Sequence, residues 1–390
     1  MPAASRARVV SSGFGTGATQ NFYSSVAHAL LDATAHRALP VWLCDDAVGA
    51  TECASERNES ACIKHTGELF PRPLPPDTAP ATVAAIEEHF RFLGRLMATA
   101  CRDGFIVPLP LSPDFLHLAR GGSLSWAALP RAGATGDVAS EYAAVAGRLM
   151  ALDTALAAGR LSVVEHQRLV EEIADKPFRS RLSLREYLQA TSCKFECPIT
   201  GVPFGGADGS QRDVTVANLP EFVSKLAQYW LADGIAVQAD GFRCGVQDVC
   251  TRADALLAPF APAELRTLFC GTRSIEWTTA ELASALTPSA GYDRESVPYR
   301  LLIEELERMA HDERARFLEF VTACPHLPSV GVTGVAIEVH RAPDGARLPT
   351  AQTCANMLRL PPYKDADELR RGLETAFANL QGGGVHETMR

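Results

Sequence analysis

Residues 347–363 read Arg347-Leu348-Pro349-Thr350-Ala351-Gln352-Thr353-Cys354-Ala355-Asn356-Met357-Leu358-Arg359-Leu360-Pro361-Pro362-Tyr363. One cysteine stands between an extended, proline-containing lead-in and a short apolar run that stops at paired prolines. Proline donates no backbone hydrogen bond and biases its predecessor toward extended chain, so it punctuates both sides of the run. A helical pattern starts at Asp365. The order is loop, thiol, strand, turn, helix, and the sulfur falls at a loop-to-strand boundary that a large partner can reach.

By residue type, a lone cysteine is more often a small buried hydrophobe than a nucleophile. Its chemistry needs the thiolate, and an unperturbed thiol with a pKa of ~8.5 is only a few per cent ionised at neutral pH. Arg347 and Arg359 bring positive charge to the stretch, Asp344 opposes it, and Gln352 cannot act as a base. A papain-like hydrolase places its histidine after its nucleophile. Here only His386 follows Cys354, so that arrangement is a poor match.

Composition sets the outer bounds. With 390 residues the chain is long enough for two or three lobes around a sizeable core. Hydrophobic residues make up 47% and charged residues 21%, which fits a globular fold and not a disordered one. A net charge of -9 argues against a nucleic-acid partner. No apolar run approaches membrane-spanning length. The 11 cysteines are odd in number and scattered, with no signal peptide, which predicts reduced thiols and a cytoplasmic or nuclear setting. Cys193 and Cys197 have the spacing of half a zinc site, but Cys244 and Cys250 are too far apart to complete it. No metal and no cofactor is expected.

Periodicity predicts helices at 21–35, 81–102, 138–158, 163–176, 182–190, 218–233, 262–270, 278–286, 296–310, 312–323 and 365–380. In the second, Ile86, Phe90, Leu93 and Met97 share a face; in the last, Leu369, Leu373, Ala376 and Leu380 do. Asn218 is placed to cap its helix, with Pro220 in the first turn. Val335–His340 alternates like a half-buried strand, and Ala355–Leu360 is a second one. Loops are expected at 46–80, a connector near 121–136, and loops with short strands at 192–213. The class is α+β and mostly helical.

The 347–363 stretch closely resembles the active-site segment of HECT-type ubiquitin ligases: Leu-Pro, variable residues, Thr-Cys, an Asn two after the cysteine, then Leu-Pro-x-Tyr. Further similar segments run back along the chain. They include 314–328, Leu268-Phe269-Cys270-Gly271, Trp230–Val246, His89–Ala98 with Leu109-Pro110-Leu111, and Gly15–Tyr23. The resemblance implies a bilobal domain. Residues 1–271 would form an N-lobe, with a subdomain at roughly 138–233 that docks a conjugating enzyme. A hinge would lie at 272–274, flanked by Gly271, and a C-lobe at 275–390.

It also implies that Cys354 carries ubiquitin as a thioester and passes it to a substrate lysine, with Gln352, Thr353 and Asn356 supporting the loop. The partners implied are ubiquitin, a conjugating enzyme and protein substrates. Phe222 and Leu226 match the family's conjugating-enzyme groove, although the same helical stripe, continued by Tyr229 and Trp230, suits plain core packing. The polar break Gly271-Thr272-Arg273-Ser274 matches the hinge. Gln352, Ala355 and Asn21 stand where the family usually has His, an aromatic and an acid. The end of the chain, 385–390, lacks the usual phenylalanine. The alternative is therefore a weakly active or inactive module that recruits a conjugating enzyme or ubiquitin; a thiol hydrolase acting on ubiquitin conjugates comes third.

Overall fold

The computed structural model describes residues 16–32, 38–43, 68–129, 136–179, 181–205, 207–272 and 274–381. Arg273, the 385–390 tail with His386, Gly15, the Leu380 side chain, and parts of the 46–80 loop and the 121–136 connector lie outside them. Helices dominate, with a small mixed sheet, so the chain is α+β and mostly helical as its periodicity predicts. It folds as two compact units. A central unit comprises Asp32–Arg95 and Leu111–Pro262; a terminal unit comprises Met1–Leu31, Leu96–Pro110 and Ala263–Arg390. This grouping sets 1–31 and 96–110 with the C-terminal part of the chain, across the lobe limits drawn from sequence.

The long helix α2 (Pro80–Arg102) buries Ile86, Phe90, Leu93 and Met97, the face its spacing predicts. In the central unit it meets α8 (Ala236–Val249), which the sequence patterning did not pick out. Its glycines look like helix breakers but are contact points. A Cβ on Gly94 would strike the Phe242 carbonyl, and one on Gly245 the Arg91 carbonyl. The two backbones pack closer than any side chain permits, which offsets the cost of helical glycine. Asp248 closes the crossing by accepting from Arg91 Nε at 2.9 Å and Arg95 Nε at 2.6 Å. Those guanidiniums hold its carboxyl down to about 2. Trp42, Phe90, Phe115 and Phe242 form an edge-on aromatic series, each centroid 5.2–5.6 Å from the next.

The same unit carries α4 (Gly136–Ala157), α5 (Val163–Ala174), the β1–β2 hairpin (Pro177–Arg179, Leu182–Ser183), α6 (Leu184–Thr191) and α7 (Leu219–Leu231). Ser162 with Glu165, and Ser183 with Glu186, form capping boxes that start α5 and α6. Asn218 does take the cap position of α7, but makes no cap bond into the helix. Its Oδ1 accepts from the Thr215 N–H at 2.7 Å instead.

In the terminal unit, α11 (Thr279–Ala285), α12 (Val297–Arg308), α13 (His311–Thr322) and α14 (Ala366–Gln381) share a core with a four-stranded sheet, ordered β3-β4-β6-β5. Strands β3 (Leu286–Ser289), β4 (Ile337–Arg341) and β6 (Met357–Leu360) are parallel; β5 (Thr350–Gln352) runs antiparallel at the edge. Ile337, Val339, Leu358 and Leu360 are buried, while Glu338 and Arg341 of β4 are exposed. Burying about 1.5–3 kcal/mol per large aliphatic side chain makes such a face the main source of stability. Trp277 Nε1 donates to the Leu306 carbonyl at 2.8 Å, and Arg370 forks onto the buried Glu305 at 2.7 and 3.0 Å.

Candidate functional site

Cys354 sits in the 3₁₀ turn Thr353–Ala355 that joins β5 to β6. Asn356 ends the turn in the left-handed region, φ 48° and ψ 46°. Asparagine tolerates that region better than other non-glycine residues, so an Asn is a fitting residue to turn the chain directly into β6. The Asn356 carbonyl then accepts from the Glu338 N–H at 3.0 Å, which ties the end of the turn to the start of β4. On the lead-in side, Tyr363 Oη donates to the Arg347 carbonyl at 2.9 Å. The turn lies against α13 and against the N-terminal helix α1 (Thr16–Leu30), all within the terminal unit.

The supporting residues divide by depth. Thr353, the first residue of the turn, is buried at 9% exposure, whereas Gln352 and Cys354 are half-buried and Ala355 is exposed. Two other thiols, Cys324 and Cys193, are shielded from water. Cys324 is buried beside the His326 carbonyl, and burial pushes it up to about 11. Burial does the same to Cys193, also to about 11. A thiol held neutral in this way is a poor nucleophile. Cys354 is a free cysteine within reach of solvent. Asp344, which opposes positive charge in the sequence reading, is engaged with Arg341 at 3.2 Å.

Beside the turn is a cavity of about 430 Å³, lined among others by Gln20, Asp103, Glu338, Ala355 and Asn356. Gln20 is fixed in it by a two-way pairing with Ile106, its Nε2 donating at 2.9 Å and its Oε1 accepting at 3.3 Å. Neither Gln20 nor Glu338 is placed at the site by motif or spacing. The only hint was the alternation of β4, which turns Glu338 away from the core.

The remaining expected residues lie elsewhere. Phe222 is 0% and Leu226 3% exposed, both in the central unit. Phe222 packs against Phe195 and Phe204, with centroids at 5.5 and 6.0 Å. The stripe 222, 226, 229, 230 therefore faces the interior. Thr272 is bridged to Leu327, donating at 2.8 Å and accepting at 3.0 Å. Gly271 has φ 69°, and a Cβ there would meet the Leu327 carbonyl at 2.6 Å, so this position requires glycine. Ser274 is exposed. Among the described residues, no group of three or more His, Cys, Asp or Glu side chains is placed to hold a metal ion, and no helix is long and apolar enough to cross a membrane.

Comparison with known proteins gives this geometry a family. The profile of the HECT-domain (ubiquitin-transferase) family matches residues 45–385. The chain is 30% identical to the E3 ubiquitin-protein ligase hecd-1 of Caenorhabditis elegans over 94% of its own length and 14% of that protein. It is 28% identical to the E3 ubiquitin-protein ligase TRIP12 of Danio rerio, over 93% of itself and 18% of that protein. It is likewise 28% identical to the E3 ubiquitin-protein ligase UPL3 of Arabidopsis thaliana, over 95% and 20%. The chain thus spans a fifth or less of the length of these curated relatives. With the thiol turn, the flanking sheet and a match along nearly all its length, this chain belongs to the HECT-domain (ubiquitin-transferase) family.

Proposed function

We propose that this domain acts as a ubiquitin-protein ligase through two acyl transfers at Cys354. The Cys354 thiolate attacks the thioester carbonyl that links ubiquitin to a conjugating enzyme. A new C–S bond forms and the conjugating enzyme's thiolate leaves. The amine of a substrate lysine then attacks the Cys354 thioester; a C–N bond forms and the Cys354 sulfur leaves with its electron pair. Splitting one transfer into two is the usual gain of covalent catalysis. Thr353, buried at the start of the turn, and Asn356, at its end, hold the thiol in place; Gln352 flanks it on β5. The observation that carries this reading is a free, half-buried cysteine on a turn between two strands, within the segment matched to the family.

The partners of this function are ubiquitin, a conjugating enzyme and protein substrates, in a reducing cytoplasmic or nuclear compartment. Phe222 and Leu226 would shape the conjugating-enzyme surface from beneath, since both are buried. The 271–274 segment is the proposed hinge between lobes 1–271 and 275–390, and its movement would have to break the Thr272–Leu327 bridge. The presence of Gln352, Ala355 and Asn21 at family positions supports a second reading, a recruiting module with weak or no transfer. Incubating the purified chain with activating enzyme, conjugating enzyme, ubiquitin and ATP separates the two. The ligase reading expects a thiol-sensitive ubiquitin adduct that Cys354→Ala abolishes. An adduct that survives in Cys354→Ala removes the assignment, and no adduct at all favours the recruiting module.

A further inference from the structure

We propose that the cavity beside the Cys354 turn receives the acceptor lysine, and that Glu338 holds its ammonium group. This rests on the ligase reading above and adds the residue that positions the second substrate. Glu338 lies in register with Met357, and its N–H binds the Asn356 carbonyl, so β4 sets it beside the residues that follow the thiol. Its side chain is 56% exposed and lines the cavity. Its ion-pair partner is His340, Nε2 to Oε2 at 2.8 Å, which is charged only when protonated. Asp103, the other carboxylate in the lining, is already occupied by Arg102 at 2.9 and 3.3 Å. Glu338 is thus the cavity carboxylate with no permanent cation bound to it among the described residues.

A second observation points to a donor-bearing ligand. Asn356 also lines the cavity, and its Oδ1 is buried with no hydrogen-bond partner among the described residues. A buried acceptor left unmatched is costly. A lysine ammonium carries three N–H donors and no acceptor. One can go to the Glu338 carboxylate, and a turn of the Asn356 amide toward the cavity would offer its Oδ1 to a second. At about 430 Å³ the cavity has room for the side chain.

In the transfer, the ammonium gives one proton to solvent and its nitrogen lone pair forms the bond to the thioester carbonyl carbon. The C–S bond breaks toward Cys354, and the second proton lost from nitrogen returns to that sulfur as thiol. Glu338 is a positioning residue: it concentrates and orients the amine, and makes no bond to the reacting carbon.

The test is a single-turnover discharge of the full chain, loaded with ubiquitin on Cys354 and then chased with free lysine or with hydroxylamine. Hydroxylamine is uncharged near neutral pH and does not need a carboxylate. Glu338→Gln should load normally but lose roughly 10- to 100-fold in lysine discharge, as expected for removing a charge-assisted hydrogen bond. The loss should lie mainly in the lysine concentration needed. Discharge to hydroxylamine should be unchanged, and Glu338→Asp should recover part of the loss. His340→Ala should discharge lysine at least as well as the unaltered chain. Unaltered lysine discharge in Glu338→Gln overturns the proposal. So does an equal loss with both nucleophiles, or the same loss in His340→Ala, because each indicates a structural effect. A chain that forms no adduct on Cys354 instead overturns the ligase reading beneath it, and that result is seen before any chase begins.

Discussion

The Cys354 turn and the Phe222–Leu226 stripe both match family positions, yet they are built in opposite ways. Cys354 lies on three residues of irregular backbone between an edge strand and an inner one, half-buried and free. Phe222 lies in a regular helix, 0% exposed, under Phe195 and Phe204. An irregular turn held by a rigid sheet can present a side chain outward; an amphipathic helix directs its apolar stripe inward. Likeness of sequence therefore carries a different weight at the two places. At the turn it marks a free, half-buried thiol, and on the helix it marks a packing position.

The largest effect that bears on this contrast is Phe222→Ala, which should cost about 3–5 kcal/mol as the loss of a fully buried aromatic. Denaturant unfolding measures it. Loss of ubiquitin loading at unchanged stability would return Phe222 to a partner-facing role. Next, Thr272→Pro removes the N–H that binds Leu327, for about 1–3 kcal/mol if the carbonyl is left unmatched. A proposed hinge at this point also expects slower loading of Cys354. Normal loading together with a normal melting temperature would place the moving segment elsewhere.

At the turn itself, Asn356→Ala should cost about 1–2 kcal/mol, because alanine is strained in the left-handed region, which asparagine tolerates better. Asn356→Gly should recover most of it. If both variants melt alike, backbone strain is not what asparagine relieves there. The smallest effect concerns Asp248. Its carboxyl is held at about 2 by Arg91 and Arg95, below its unfolded value. Such a group stabilises the fold above the unfolded pKa, and the contribution fades as pH falls toward the folded value. The melting-temperature difference between the unaltered chain and Asp248→Asn should be present at neutral pH and shrink between pH ~4 and ~2. A difference that does not change with pH would mean the arginine pair is not its source.

Long periodic elements were legible in the sequence, and those whose residues serve packing geometry were not. The face of α2 followed directly from Ile86, Phe90, Leu93 and Met97. The α8 helix was hidden by Gly241 and Gly245, whose small size serves contact with α2 and not local conformation. Strand β3 contains Pro288, which reads as a break; it is tolerated because β3 is an edge strand. Strand β5 has three residues, too few to show alternation. At the site, the Cys354 segment was legible because its residues are contiguous. Gln20 and Glu338 were not, since they reach the same cavity from α1 and β4, more than 300 residues apart in the chain.

Exchanging sulfur for oxygen at residue 354 changes the chemistry of the bond and leaves the fold alone. The ligase account requires that Cys354→Ser, loaded with activating enzyme, conjugating enzyme and ubiquitin, replace the thiol-sensitive adduct with an oxygen ester. That ester should resist excess thiol and be cleaved by mild alkali, with the ubiquitin remnant mapped to residue 354. An adduct on Cys354→Ser that is still released by thiol would contradict the account, because ubiquitin would then be held by another cysteine.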